Sequence, residues 1–320
     1  MQEFFDRYIN YLTAEKNASR YTVRNYTSDL MGGRTEKGQK GFFQYLRLQG
    51  IETLNEVNRQ VIRDYISWLM EQGVVKSSIA RKMSAIRSVF NYLVRESIMD
   101  INPLERVISP KRDRRLPAFL SINETVKLIK APDTSTPTGL RDRAILELLY
   151  ASGVRVSELV SLNLNQVNLS TNEIRVRGKG SKERIVLIGK PAASAIKAYL
   201  SNGRPQLLGD RNHSAMFISR QGERLIERRV QKILEKYGKA TGISQRIHPH
   251  MLRHTFATHM LDGGADLRVV QELLGHTDLS STQIYTQVSK AQARKVYLSA
   301  HPLAKAETEE KGGQDESPTE

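Results

Sequence analysis

The first hundred residues carry apolar side chains that recur every three to four positions. Phe4, Phe5, Tyr8, Ile9 and Leu12 form one such stripe, and Val61, Ile62, Tyr65, Ile66 and Leu69 a second, with Gly73 placed to end it. From Ser77 to Glu96 the stripe runs through Ile79, Met83, Ile86, Phe90 and Leu93, while Lys76, Arg81, Lys82, Arg87 and Arg95 fall on the other side. The spacing predicts amphipathic helices, the third with a basic outer face. Between Leu30 and Gly41 the segment MGGRTEKGQK is polar and glycine-rich, which predicts a loop between two helices.

Past residue 118 the pattern changes character. Ser121-Ile-Asn-Glu124 reads as a capping box ahead of Val126, Leu128 and Ile129. A helix is expected from Leu140 to Tyr150. Glu173 to Arg177 and Glu183 to Ile188 then alternate or run β-branched, and Gly178-Lys-Gly-Ser-Lys182 joins them, as in a β-hairpin. Helices are expected again over Pro191–Leu200, Ile226–Thr241, Met251–Leu261 and Leu267–Leu274, punctuated by Gly263-Gly264 and Gly275. The fold class is therefore mainly α with a small β-sheet.

Two prolines, Pro110 and Pro117, bracket a strongly basic segment that includes Lys111, Arg112, Arg114 and Arg115. Proline disfavours helix at and before itself, so this segment predicts a domain boundary. The expected division is a helical domain over 1–106, a basic linker over 107–118, a mixed domain over 119–304 and an acidic tail over 305–320. That tail lacks large apolar residues and is expected to be disordered.

Charge and cysteine content narrow the function classes. The 320 residues contain 49 lysines and arginines against 34 acids, a net charge of +15. The tail from Lys305 holds six acids and two lysines, so the rest of the chain stands at about +19. A body that basic usually meets a polyanion, although a basic soluble protein without such a partner is the plainer alternative. There is no cysteine, which excludes disulfides, thiolate metal sites and a cysteine nucleophile. The opening residues MQEFFDRYINYL are unlike a signal peptide, no apolar stretch is long enough to span a bilayer, and a cytoplasmic location is expected.

The candidate chemistry lies in the second domain. Glycine-rich nucleotide motifs are lacking, so no cofactor is expected. His250 and His254 have a spacing that can hold zinc, but HPHMLRHTFATH offers no carboxylate to complete a set, so no metal is expected either. His250 and Arg253 share a helix face and suit an anion, though taken alone a surface or capping pair is the favoured reading. Arg155 follows a glycine break inside apolar surroundings and needs a partner, either Glu158 or a phosphate. Lys179 sits between glycines in the hairpin turn, and His276 precedes Tyr285 by nine residues. Two arginines, a proton donor and a hydroxyl nucleophile are what transfer at a phosphodiester requires.

The segments ASGVRVSELVSL, RVRGKGSKER, HPHMLRHTFATHML and GADLRVVQELLGHTDLSSTQIYT, in this order and spacing, closely resemble the tyrosine recombinases of the Xer type. The resemblance runs from about Phe4 to Pro302. It implies a helical core-binding domain and a mixed catalytic domain that close as a C-shaped clamp on duplex DNA. It implies Arg155 and Arg253 as phosphate clamps, Lys179 as general acid, His250 as acid/base, His276 as a hydrogen-bonding partner, and Tyr285 as the nucleophile of a 3′-phosphotyrosyl link. Basic residues expected against DNA are Lys76, Arg81, Lys82, Arg87, Lys111, Arg112, Arg114, Arg115, Lys182 and Arg184. His254 and His259 are expected to be structural. Within Ala291–Ala300, Val296 and Leu298 are candidates for docking on a neighbouring protomer. The resemblance also implies a homotetramer or heterotetramer on a palindromic site, Holliday-junction exchange, resolution of chromosome or plasmid dimers, and a septal DNA translocase as activator. An integrase of a mobile element is the alternative, and the loop at 31–40 and the acidic tail are additional to the family pattern.

Overall fold

The computed structural model describes residues 2–33, 40–107, 118–178, 183–275 and 290–304. The chain divides into two compact units, 1–115 and 116–320.

The first unit is helical. Helix α1 spans Gln2–Asn10 and runs into a wider π-helical turn over Tyr11–Glu15. Helix α2, Arg20–Met31, starts at Ser19, whose hydroxyl accepts from the Thr22 amide at 3.1 Å. Helices α3 (Phe42–Leu48), α4 (Arg59–Glu71) and α5 (Lys76–Arg95) follow. Asn58 caps α4 by accepting from the amides of Gln60 and Val61. The stripes meet in one core, in which Tyr8, Leu30, Phe42, Leu46, Ile62, Tyr65, Leu69, Ile79, Met83, Ile86 and Phe90 are fully buried. Edge-on packing of Phe42 on Tyr65, with ring centroids 5.1 Å apart, gives this core its specific fit.

The basic face of α5 is not wholly solvated. Lys82 lies three residues after Ile79 and four before Ile86, so it follows the buried stripe and is only 8% exposed. Its ammonium faces the Asp29 carboxylate at 3.4 Å and donates to the Lys40 carbonyl at 2.9 Å. Tyr65 donates to the same carbonyl at 2.8 Å, and Arg81 also pairs with Asp29. This network holds the chain where it enters α3, so the expectation of Lys82 as a DNA contact is corrected to a structural role. Arg87 donates to the Val107 carbonyl at 3.1 Å, and Lys76 is exposed. Lys111, Arg112, Arg114 and Arg115 lie outside the described residues, as do most of the 31–40 loop and the acidic tail.

The second unit is built around one central helix. After α6 (Ile122–Lys130), capped reciprocally by Ser121 and Glu124, comes α7 (Pro137–Ser152). Ala144 to Ser152 is buried without a break, so α7 is covered on all sides and has no solvent face for a period to show. Helix α8, Val156–Ser161, follows after a sharp turn. Strands β1 (Val167–Asn168), β2 (Glu173–Arg177) and β3 (Glu183–Leu187) form an antiparallel sheet in that order. Ile174 pairs with Val186 and Val176 with Arg184, and Ile174, Val176 and Val186 face the core. Helix α9 (Lys190–Ala198) continues through a π-helical turn into the short α10 (Arg204–Leu208).

Three further helices complete the unit with a closing segment. They are α11 (Glu227–Ala240), α12 (Pro249–Asp262) and α13 (Leu267–Leu274), followed by α14 (Lys290–Ala300). Phe256, Met260, Val270, Leu274, Tyr297 and Ala300 form a second cluster in which α14 packs on its own chain. Tyr297 is 2% exposed, and its hydroxyl accepts from the Gly189 amide at 3.0 Å. Val296 is partly buried and packs on this cluster, and Leu298 is exposed.

Candidate active site: an arginine ring around a buried carboxylate

Three backbone breaks bring the polar groups together. Helix α7 ends at Gly153 in a left-handed conformation (φ +57°), and the chain reverses into α8 with Arg155 at its cap position. A Cβ at Gly153 would lie 2.6 Å from the Phe256 ring and 2.8 Å from Leu274, so glycine is required there. Helix α12 starts at His248, whose Nδ1 accepts from the Met251 amide at 3.2 Å. Helix α13 stops at Gly275, again left-handed (φ +67°).

Glu158 is the hub of the site. It is 3% exposed and accepts from three directions. Oε1 takes the Arg155 guanidinium at 3.0 Å and Arg184 Nη1 at 2.7 Å. Oε2 takes the Arg155 amide at 2.8 Å and Arg184 Nη2 at 2.9 Å. Burial alone pushes the Glu158 pKa up, but the hydrogen bonds from Arg184 and from the Arg155 amide, with the nearby positive charge, outweigh it, and the net direction is down. Glu158 is therefore a charged carboxylate.

Arg253 closes the arrangement from α12. It donates to the Gly153 carbonyl at 2.5 Å and to the Leu274 carbonyl at 2.7 Å. Its pKa is pushed down to about 10, first by burial and then by the like charge of Arg155. Gly275, next to Leu274, is packed against Arg184, since a Cβ there would lie 2.8 Å from Arg184 Cδ. The contacts thus form a closed ring: Arg253, Gly153, Arg155, Glu158, Arg184, Gly275 and Leu274. Three arginines and one carboxylate leave two positive charges in it. A phosphodiester carries one negative charge and gains a second as a nucleophile adds, so the ring suits the transition state better than the ground state.

His250 is exposed on the first turn of α12, three residues before Arg253. His259 is buried, and its Nδ1 shares a 2.9 Å hydrogen bond with the Tyr150 hydroxyl, a structural contact. Lys179, Lys182, His276 and Tyr285 lie outside the described residues, although Gly178, Glu183 and Gly275 bracket three of these positions. Among the described residues no three histidine, aspartate or glutamate side chains converge as a metal-binding group.

Arg184 was expected against DNA, but it is tied to the hub instead. The signal was present in the parity of β3: Arg184 shares a face with Val186 and Ile188, both buried, so it points inward. The roles of Gly153 and Gly275 were read only as punctuation. Their fit against Phe256 and Arg184 depends on long-range packing that the sequence pattern does not carry.

Residues 118–292 match the phage integrase family, and residues 5–97 its N-terminal SAM-like domain. Tyrosine recombinase XerC of Pelotomaculum thermopropionicum is 44% identical over 310 residues, 95% of this chain and 100% of its own length. Tyrosine recombinase XerD of Staphylococcus epidermidis is 40% identical over 304 residues, 95% and 100% of the two chains. Among solved structures, a XerH recombinase bound to a palindromic difH substrate superposes with a TM-score of 0.66 at 20% identity, over 92% of this chain and 80% of that one. A lambda integrase dimer bound to a core site gives 0.64 at 18% identity, over 90% and 99%. These two show the shared fold. From the family matches and the near-complete relatives, the chain belongs to the phage integrase family, as a tyrosine recombinase of the Xer type.

Proposed function

We propose that this recombinase cuts and rejoins DNA strands at a specific site through a tyrosyl-phosphate intermediate formed at the arginine ring. The observation that carries the reading is the pair Arg155 and Arg253, one on either side of the Gly153 turn, with their charge trimmed by one buried carboxylate. In the reaction the Tyr285 hydroxyl attacks phosphorus, the bond to the 5′ oxygen breaks, and a 3′-phosphotyrosyl link forms. Lys179 gives the departing 5′ oxygen its proton, His250 serves as acid and base at the scissile phosphate, and His276 hydrogen-bonds there. Attack by the 5′ hydroxyl of another strand reverses these steps and frees the tyrosine. The bond energy is kept in the phosphotyrosine, so rejoining needs no ATP.

Both units act on duplex DNA, and exchange passes through a Holliday junction in a tetramer of one or two recombinases. The basic linker (Lys111, Arg112, Arg114 and Arg115), together with Lys76, Arg81, Arg87 and Lys182, positions the DNA backbone. Near-full-length likeness to proteins named XerC and XerD supports resolution of chromosome or plasmid dimers at a palindromic site, with the protein at the nucleoid. No helix among the described residues is long and apolar enough to cross a membrane.

The test uses DNA fragments retained by the protein from its source genome, narrowed by footprinting and rebuilt as nicked substrates whose cleavage cannot reverse. Arg155→Ala and Arg253→Ala should each slow covalent adduct formation by about 100-fold or more while DNA binding persists. Lys179→Ala should slow cleavage, and a 5′-bridging phosphorothioate, whose leaving group needs no proton, should restore it. Normal adduct yield from both arginine variants would overturn the reading.

A further inference from the structure

We infer that Arg184 is a positioning residue for cleavage: it neutralises Glu158 so that Arg155 is left able to grip the scissile phosphate. The inference rests on the function proposed above. Glu158 must cap the amide of Arg155 to fix the turn after Gly153, and it does so with Oε2 at 2.8 Å. A carboxylate so placed also competes with the phosphate for the Arg155 side chain. Left alone with Arg155, it would draw that guanidinium into a two-pronged pair, the geometry arginine and carboxylate prefer.

Arg184 prevents this. It bridges both oxygens of Glu158 itself, at 2.7 and 2.9 Å, so Arg155 contributes only one guanidinium bond, at 3.0 Å. The two arginines differ in exposure as this division of labour requires. The Arg184 side chain is 17% exposed and the Arg155 side chain 38%. Strand β3 makes the placement rigid, because the pairing of Arg184 with Val176 puts it on the buried face of the sheet. Gly275 completes it, since any side chain there would collide with Arg184 Cδ and Nε. A residue that only shaped the fold would not need a full guanidinium aimed at the carboxylate that holds the phosphate clamp.

The experiment measures single-turnover cleavage of the nicked substrate by the wild-type protein, Arg184→Met and Arg184→Lys. Each is also run on the same duplex with a methylphosphonate at the scissile position. That group is uncharged, so its transition state carries one negative charge fewer and makes less demand on Arg155. On the phosphodiester, Arg184→Met should be slower by roughly 10- to 100-fold, the usual effect of losing a group that orients a reacting one. DNA affinity should stay within about twofold, since no phosphate contact is removed. On the methylphosphonate the deficit relative to wild type should shrink to under about threefold, the ring needing less charge. Arg184→Lys keeps the charge but cannot bridge both oxygens, so its rate should fall between the two.

Equal deficits on both substrates would overturn the inference, because a general structural defect is blind to phosphate charge. So would an unchanged rate on the phosphodiester, or a loss that appears as weaker DNA binding. Failure of the wild-type protein itself to form an adduct would instead overturn the proposed function, so the two failures are distinguishable.

Discussion

Replacing Gly153 with alanine adds one methyl group where α7 turns into α8 and where Arg253 anchors. Two effects add. A left-handed residue with a Cβ costs about 1–2 kcal/mol, and forcing a methyl into packed surroundings costs about 1–3 kcal/mol, together about 2–5 kcal/mol. The second effect applies because the new carbon would lie 2.6 Å from the Phe256 ring and 2.8 Å from Leu274. Gly242 is the internal control. It is also left-handed (φ +71°), but nothing lies within 4 Å of a Cβ there, so Gly242→Ala bears only the backbone cost. Calorimetry of the full chain should show the transition of the unit 116–320 falling by roughly 4–20 °C for Gly153→Ala and roughly 2–8 °C for Gly242→Ala. Gly153→Ala should also slow cleavage, because relief of the clash moves the carbonyl that holds Arg253, whereas Gly242→Ala should cleave normally. Equal shifts for the two variants would refute the reasoning.

Three further outcomes follow from the same geometry. The Glu158 pKa is held below its unfolded value, so its contribution is present at neutral pH and lost as pH falls below about 4.5; Glu158→Gln should flatten that acid limb in urea titrations at several pH values, and an unchanged limb would contradict the placement. His301 is buried against Tyr297 and Tyr150, with ring centroids 5.1 and 4.8 Å away, and burial pushes its pKa down to about 4. The unfolded chain then binds a proton that the native state refuses, so stability should fall by roughly 3 kcal/mol between pH 6.5 and 4, and His301→Phe should lose that dependence. Lys82→Met should destabilise the unit 1–115 by about 1–3 kcal/mol by removing a partner of buried Asp29, while leaving the salt dependence of DNA binding unchanged; a shallower salt slope would restore Lys82 as a phosphate contact.

Much of the fold was legible because its signals are local. The apolar stripes of α1, α4 and α5, the Ser121 capping box and the hairpin strands all appear in the structure within a few residues of their expected limits. Strand β1 was not legible: Val167–Asn168 has no alternation of its own and exists only by pairing with β2. Helix α7 was read short because burial on every side erases periodicity. Lys82 and Arg184 misled for a common reason. Charged side chains were assigned to the surface by type, whereas helix spacing and strand parity put both inside, each beside a buried carboxylate. Arg155 with Glu158 is the opposite case, where an i, i+3 spacing named the contact that the structure shows.

Every step of the proposed reaction depends on Tyr285 delivering its hydroxyl to a phosphate held at the arginine ring. The most direct measurement traps the covalent protein–DNA adduct on the nicked substrate, digests it with trypsin and nuclease, and locates the modified residue by mass spectrometry. A phosphotyrosine is expected in the peptide Val269–Lys290, at Tyr285, and no adduct from Tyr285→Phe although that variant still binds DNA. Attachment at any other residue, or an adduct from Tyr285→Phe at normal yield, would contradict that expectation.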